Sequence, residues 1–208
     1  MKRALVMAMA RAGVPQEAAA RVLAEVFGAA APIDLAQFAP IHKGAYTIQA
    51  ERFVDVLPEL HPLHAAHWQE TEKYRAGIAL DPDYEAMAER ERWGKLLQMT
   101  VRLDGRLVGH VRMYVNRSLH TQTLYADEDT LYMEPAHRGG FVAIALMRYA
   151  EKCLLALGIR EIRSNSKIIN KADVLMRRLG YPQVAIHFCK TFTNDEALSR
   201  MVRAPSDL

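Results

Sequence analysis

Residues 131–158 constrain the fold of this chain more than any other stretch. Leu131-Tyr132-Met133 is a short apolar run ending at Glu134-Pro135, and Ala136-His137-Arg138-Gly139-Gly140-Phe141 forms a basic, glycine-bearing turn. Then the pattern changes. Apolar residues at 142, 145, 146, 149, 153, 154 and 157 recur at helical spacing, and Gly158 supplies a stop. The order is strand, tight turn, helix. Two adjacent glycines let the turn's amides approach a ligand closely, and the first helical turn exposes unpaired N–H groups at the positive end of the dipole. Such a corner suits a phosphate or pyrophosphate, and Arg138 adds charge beside it. Neither a P-loop Gly-Lys-Ser/Thr nor a G-x-G-x-x-G is present. On this stretch alone, a surface turn leading into a core helix fits equally well.

The C-terminal half shifts that balance. Ile159 to Lys167 alternates like a strand, Asn170 to Leu179 reads as a short helix closed by Gly180-Tyr181, and Val184 to Phe192 reads as a second strand. The turn resembles the coenzyme A loop of the GNAT acetyltransferase superfamily, V-x-P-x-x-R-G-x-G-x-G/A at the end of the fourth strand. Met133, Pro135, Arg138, Gly139 and Ala143 fall on that pattern; Phe141 replaces its middle glycine and Gly140 sits one position early. The short helix is similar to the family's N-x-x-A-x-x-L-Y-x-x-x-G-F/Y. Ala172, Leu175, Gly180 and Tyr181 match, Asn170 lies one residue closer, and Met176 stands where a thiolate-protonating tyrosine is common. Covering roughly residues 43–194, the resemblance implies an α/β (α+β) chain with the GNAT fold. That means a mixed sheet of about six strands, the fourth and fifth splayed, flanked by helices.

The remaining segments fit around this unit. Leu96 to Leu103 and Arg106 to Val115 alternate on either side of Asp104-Gly105, a hairpin signal that GNAT domains carry as strands two and three. Ala45 to Ala50 reads as the first strand, and Glu51 to Leu60 and Leu63 to Tyr74 as helices divided at Pro62. Asp83 to Trp93 is a charged helix. Near the start, Ala12-Gly13-Val14-Pro15 separates two short helices. Their wording is similar to a repressor-type helix-turn-helix, but the second helix offers mostly alanines and acids rather than base-reading side chains. A helical hairpin packed on the main domain or a partner is the better reading. The expected divisions are therefore a hairpin and linker at 1–40, a GNAT-like domain at 43–195 and a tail at 196–208.

Composition narrows the function classes. Half the residues are hydrophobic and a quarter charged, and the net charge of +3 does not by itself argue for nucleic acid. No apolar run approaches the ~18 residues of a membrane span, and the amphipathic start is read as retained, not as a leader. Cys153 and Cys189 read as buried free thiols, and a cytosolic setting is the default. His61, His64 and His67 lack an acidic or cysteine cluster at matching spacing, so no metal is expected. His64, His67, Glu70 and Tyr74 fall where the family places acceptor-binding loops.

The resemblance implies acetyl-CoA as a substrate. The amides around Leu131, Tyr132 and Met133 would hold its pantetheine arm. Those of Arg138, Gly139, Gly140, Phe141, Val142 and Ala143 would hold its pyrophosphate, with Asn170 also on the ligand. For the base, the acids Asp127, Glu128 and Asp129 cluster before Leu131, and mutual repulsion raises a carboxyl pKa. Glu128 is the first choice and Asp129 the second; Tyr181, or Tyr132, stands as acid. The wordings E-D-T-L-Y-x-x-P-x-H-R-G-G and L-M-R-R-L-G-Y resemble GNAT-type proteins of bacteriophages and prophages. This implies a host-cytoplasmic setting and host or virion proteins among the amine acceptors. The alternatives are a catalytically silent GNAT-like assembly module, favoured by a bulky Phe141 crowding the pyrophosphate, and a DNA-binding regulator. The N-terminal hairpin is a candidate route to a homo-oligomer.

Overall fold

The Asp104-Gly105 turn organises the sheet as its sequence predicts. A computed structural model describes residues 2–27, 31–72, 78–169 and 172–190. Strands β3 (Leu96–Leu103) and β4 (Arg106–Arg117) pair antiparallel across that turn, with Asp104 and Gly105 both at positive φ. β2 (Tyr46–Glu51) joins β3, and β5 (Leu124–Met133) joins β4, both antiparallel. β1 (Ile41–Lys43) adds to β2 through a tight turn in which Gly44 supplies φ +60°. β6 (Glu161–Arg163) pairs parallel with β5 and closes a six-stranded sheet in the order β1-β2-β3-β4-β5-β6. A parallel step needs a crossover, and α5 (Val142–Ala156) is that crossover.

Helices cover both faces. The buried side of α5, including Leu146, Met147, Tyr149 and Leu154, packs with Ile48, Met99, Val111 and Met113 of the strands. α6 (Ala172–Leu179) joins that layer through Met176 and Leu179. On the opposite face, α3 (Phe53–Thr71) and α4 (Tyr84–Arg92) enclose Leu96, Leu107 and Tyr132. Buried Glu91 of α4 accepts hydrogen bonds from the Phe53 and Val54 amides at 2.6 and 3.4 Å, capping α3 where Arg52 provides no side-chain cap. One strand contact is especially close. A Cβ added at Gly109 of β4 would lie 2.5 Å from Met133 Sδ and 3.0 Å from the Tyr132 carbonyl. α1 (Lys2–Arg11) and α2 (Gln16–Phe27) form the N-terminal helical pair.

Four expectations are corrected. Pro62 does not divide a helix: Pro58 and Pro62 both lie inside α3, on its exposed side, where water can satisfy the carbonyls they leave unpaired. β1 is an additional strand. Val184 to Phe192 is not a strand over the residues described, because 184–190 join no sheet and their side chains are exposed. Cys153 is buried as expected, but Cys189 is exposed. Asn170, Tyr74 and the tail at 196–208 lie outside the described residues.

Candidate active site

β5 and β6 part early, and a cleft begins where they do. Their register covers only Tyr125↔Glu161, Ala126↔Ile162 and Asp127↔Arg163, whereas β5 continues to Met133. From Glu128 onward, β5 therefore has no strand beside it on that edge among the described residues. At the end of β5 a single turn, Pro135–His137, leads into the glycines and then into α5. Gly139 stands at φ +92°, and a Cβ on Gly139 or Gly140 would meet nothing within 4 Å. The amides of Gly139, Gly140, Phe141, Val142, Ala143 and Ile144 make no backbone hydrogen bond among the described residues. Phe141 is helical in φ and ψ, and its ring is 82% exposed, so the position does not demand glycine.

A bulge separates the two leading carboxylates. β4 and β5 shift register between Arg112↔Thr130 and Met113↔Glu128, which leaves Asp129 as the extra residue. Asp129 turns to buried Arg112, whose Nε donates to Oδ2 at 2.8 Å and whose NH2 lies 2.7 Å from it. Arg112 also reaches Thr130 Oγ1 at 3.3 Å. Glu128 is buried and turns the other way: Ser164 Oγ, just past β6, donates to its Oε2 at 2.6 Å. Burial pushes the Glu128 carboxyl up to about 7, against the lowering effect of the Ser164 hydroxyl and the Asn165 amide. Adjacent acids thus have opposite surroundings, Asp129 paired with a guanidinium and Glu128 buried with its carboxyl raised to about 7.

The C-terminal half of α3 forms another wall. Arg138, which the sequence places at the pyrophosphate, donates through Nε to the Met133 carbonyl and through both terminal nitrogens to Glu70, each at 2.7 Å. It lies 5.3 Å from the centre of the Tyr132 ring. Two residues on, Glu72 pairs with Lys167 at 3.1 Å, beyond β6. The end of α3 is therefore tied to both sides of the cleft. His67 lies against Tyr132, and burial lowers its pKa. His64 is not an open acceptor contact: it is buried between Arg112, 3.3 Å from Nε2, and the Tyr84 hydroxyl, 3.1 Å from Nδ1. Burial and then Arg112 lower its pKa to about 3, so the ring is neutral; it accepts from Arg112 and donates to Tyr84. The Tyr181 hydroxyl is buried near Glu151 and Glu128, and burial raises its pKa. No group of three or more His, Cys, Asp or Glu suited to a metal occurs among the described residues.

Ser164, Asn165 and Arg112 are the site residues that sequence reading missed. Ser164 meets Glu128 across 36 positions of chain, beyond any local pattern. A signal for Arg112 does exist: with Gln98, Thr100 and His110 it places polar side chains at buried positions of an alternating hairpin.

Comparison with known proteins agrees with the fold. The model of the acetyltransferase (GNAT) family matches residues 56–181. No curated protein sequence matches significantly. Among solved structures, a ribosomal-protein-alanine N-acetyltransferase from Brucella melitensis biovar Abortus 2308 superposes with a TM-score of 0.56 at 21% identity, covering 72% of this chain and 100% of that one. An aminoglycoside acetyltransferase from an uncultured soil metagenomic sample gives 0.58 at 15% identity, covering 73% and 99%. AAC(6')-Iy in complex with the bisubstrate analog CoA-S-monomethyl-acetylneamine gives 0.51 at 16% identity, covering 71% and 99%. These likenesses bear on the fold.

Proposed function

Because the chain belongs to the acetyltransferase (GNAT) family, we propose that it transfers an acetyl group from acetyl-CoA to an amine. One observation carries the reading: the run of open amides from Gly139 to Ile144, at the start of α5 and beside the unpaired edge of β5. Those amides suit a pyrophosphate, and the Leu131–Met133 edge suits the amide-bearing pantetheine arm, which can pair with it as a strand does. The arm then directs the thioester toward Glu128.

The chemistry follows from the carboxyl's setting. An ammonium must lose a proton before its nitrogen can attack the thioester carbonyl, and a base poised near pH 7 does this best. Glu128 takes that proton, while Ser164 and the Asn165 amide hold its carboxylate in place. Asp129 is already committed to Arg112 and serves to position that buried guanidinium. A β5 amide steadies the oxyanion as the C–N bond forms. Breakage of the C–S bond releases the thiolate, and the Tyr181 hydroxyl is the available proton donor.

The phage-like wording of residues 128–140 places the chain, in our reading, in a phage or prophage setting in the host cytoplasm. A host or virion protein amine is then the acceptor. No helix among the described residues is long and apolar enough to cross a membrane. Calorimetric titration with acetyl-CoA, with free CoA as comparison, tests the central assignment. Micromolar binding is expected, and no binding by folded protein overturns it.

A further inference from the structure

β5 changes sides midway along its length. On β4 the alternation is regular: Val111, Met113 and Val115 turn toward α5, while Arg112 and Tyr114 turn toward α3 and α4. On β5 it is not. Leu124 and Ala126 pack on the α5 side, and so do Leu131 and Met133, even positions before the bulge and odd positions after it. The extra residue Asp129 absorbs the difference. A regular ladder continued from Arg112↔Thr130 would set Asp129 against Met113 and Glu128 against Tyr114. It would carry Glu128 to the α3 side, away from Ser164, and pull Leu124 and Ala126 out of the core.

The bulge is held from the α3 side. Arg112 is buried, its Nε and Nη2 both reach Asp129 Oδ2, at 2.8 and 2.7 Å, and the Thr130 hydroxyl donates to the same oxygen at 3.1 Å. The guanidinium is itself fixed. Its Nη1 meets His64 Nε2 of α3 at 3.3 Å, and its carbon lies 5.5 Å from the centre of the Phe53 ring. His64 Nδ1 in turn meets the Tyr84 hydroxyl of α4 at 3.1 Å. Tyr84, His64, Arg112 and Asp129 thus form one hydrogen-bonded chain across α4, α3, β4 and β5, ending one residue from Glu128. A lysine at 112 would supply the charge but not the fork of donors.

We infer that Arg112 is a positioning residue for Glu128, a role that rests on the reading of Glu128 as the base: it holds Asp129 outside the ladder, and the bulge so fixed turns Glu128 toward Ser164 and the cleft. Charge alone would act in the opposite sense. Removing the guanidinium with the bulge intact leaves Asp129 unneutralised, and a bare neighbouring carboxylate pushes the Glu128 carboxyl higher. Releasing the bulge takes Glu128 out of its buried place and lets the carboxyl fall toward its ordinary value. The other groups around Glu128, Lys167 beyond β6 and Tyr181 after α6, are common to both cases.

Isotope-edited infrared titration of the glutamate carboxyls on the full chain, with Glu128→Gln to assign the band, tests this without ligand or acceptor. The wild-type midpoint is expected at about 7. Arg112→Met should lower it by about one pH unit or more, and Arg112→Lys, which keeps the charge but not the fork, should lower it by less. Val101→Ala, a buried change on β3, should reduce stability and leave the midpoint where it is. A midpoint unchanged or raised in Arg112→Lys overturns the inference, whether or not Arg112→Met folds. So does an equal shift in Val101→Ala, which would make the effect one of general loosening. Wild type with no glutamate titrating near neutrality would instead remove the reading of Glu128 as the base, and the inference with it.

Discussion

Replacing Glu128 by Gln should make the protein less active and more stable, with the gain in stability confined to high pH. The folded carboxyl is held near 7 by burial, against a reference value of 4.5. Between those values the native chain keeps a proton that the unfolded chain has released. Stability therefore falls as pH rises from about 4.5 through about 7, and levels off above. The displacement corresponds to about 3 kcal/mol of ionisation cost at pH 8. A glutamine keeps an oxygen for Ser164 and Asn165 and has no charge to desolvate. Weakening those bonds when the acceptor becomes neutral removes about 0.5–1.5 kcal/mol of the gain. The net expectation is roughly 1–3 kcal/mol in favour of the variant at about pH 8, shrinking toward zero at about pH 5. Urea denaturation at both pH values reads this directly and needs no acceptor. Turnover, once an acceptor is known, should drop by about 10²–10⁴-fold. If wild type and variant show the same pH dependence of stability, Glu128 is not the buried carboxyl titrating near neutrality, and its role as base falls with that.

Three further outcomes follow from the same structure. Gly139→Val should abolish acetyl-CoA binding, because a β-branched residue is strained at φ +92° and its side chain covers the open amides; calorimetry showing unchanged affinity would remove the loop from the site. Asp129→Asn should destabilise the fold by about 3–5 kcal/mol by leaving Arg112 buried without its counter-charge, measured by thermal unfolding; a loss below about 1 kcal/mol would mean that solvent already screens the pair. Gly109→Ala should cost about 1–3 kcal/mol through its clash with Met133, and Met133→Ala in the same chain should recover part of it; no recovery would place the strain in the backbone contact with Tyr132 instead.

The parts of this fold that were legible in the sequence are those whose signals are local. The Asp104-Gly105 hairpin, the strand–glycine–helix corner at 131–158 and the Asp83-capped helix each carry their instructions within a few residues. β1 was missed because three residues are too few for a period. Pro62 misled because a proline's effect depends on which side of the helix it faces, and only packing decides that. At the site, the glycine turn was readable, and Glu128 could be singled out among its neighbours, but the environment that raises its carboxyl was not. Repulsion among clustered acids was the expected cause of a raised pKa, whereas burial is the larger cause and Asp129 contributes little once Arg112 holds it. Nor was Arg138 free for a phosphate, because its partner Glu70 lies 68 positions away.

That pairing gives the cleft a threshold. The last turn of α3 grips one bank at Arg138 and the other at Lys167, as a tie-rod holds two walls at a set spacing. Both ties run through partly exposed cations, so raised ionic strength should weaken the hold of α3 on the two banks together, and the spacing between them becomes a property of the solution as well as of the chain.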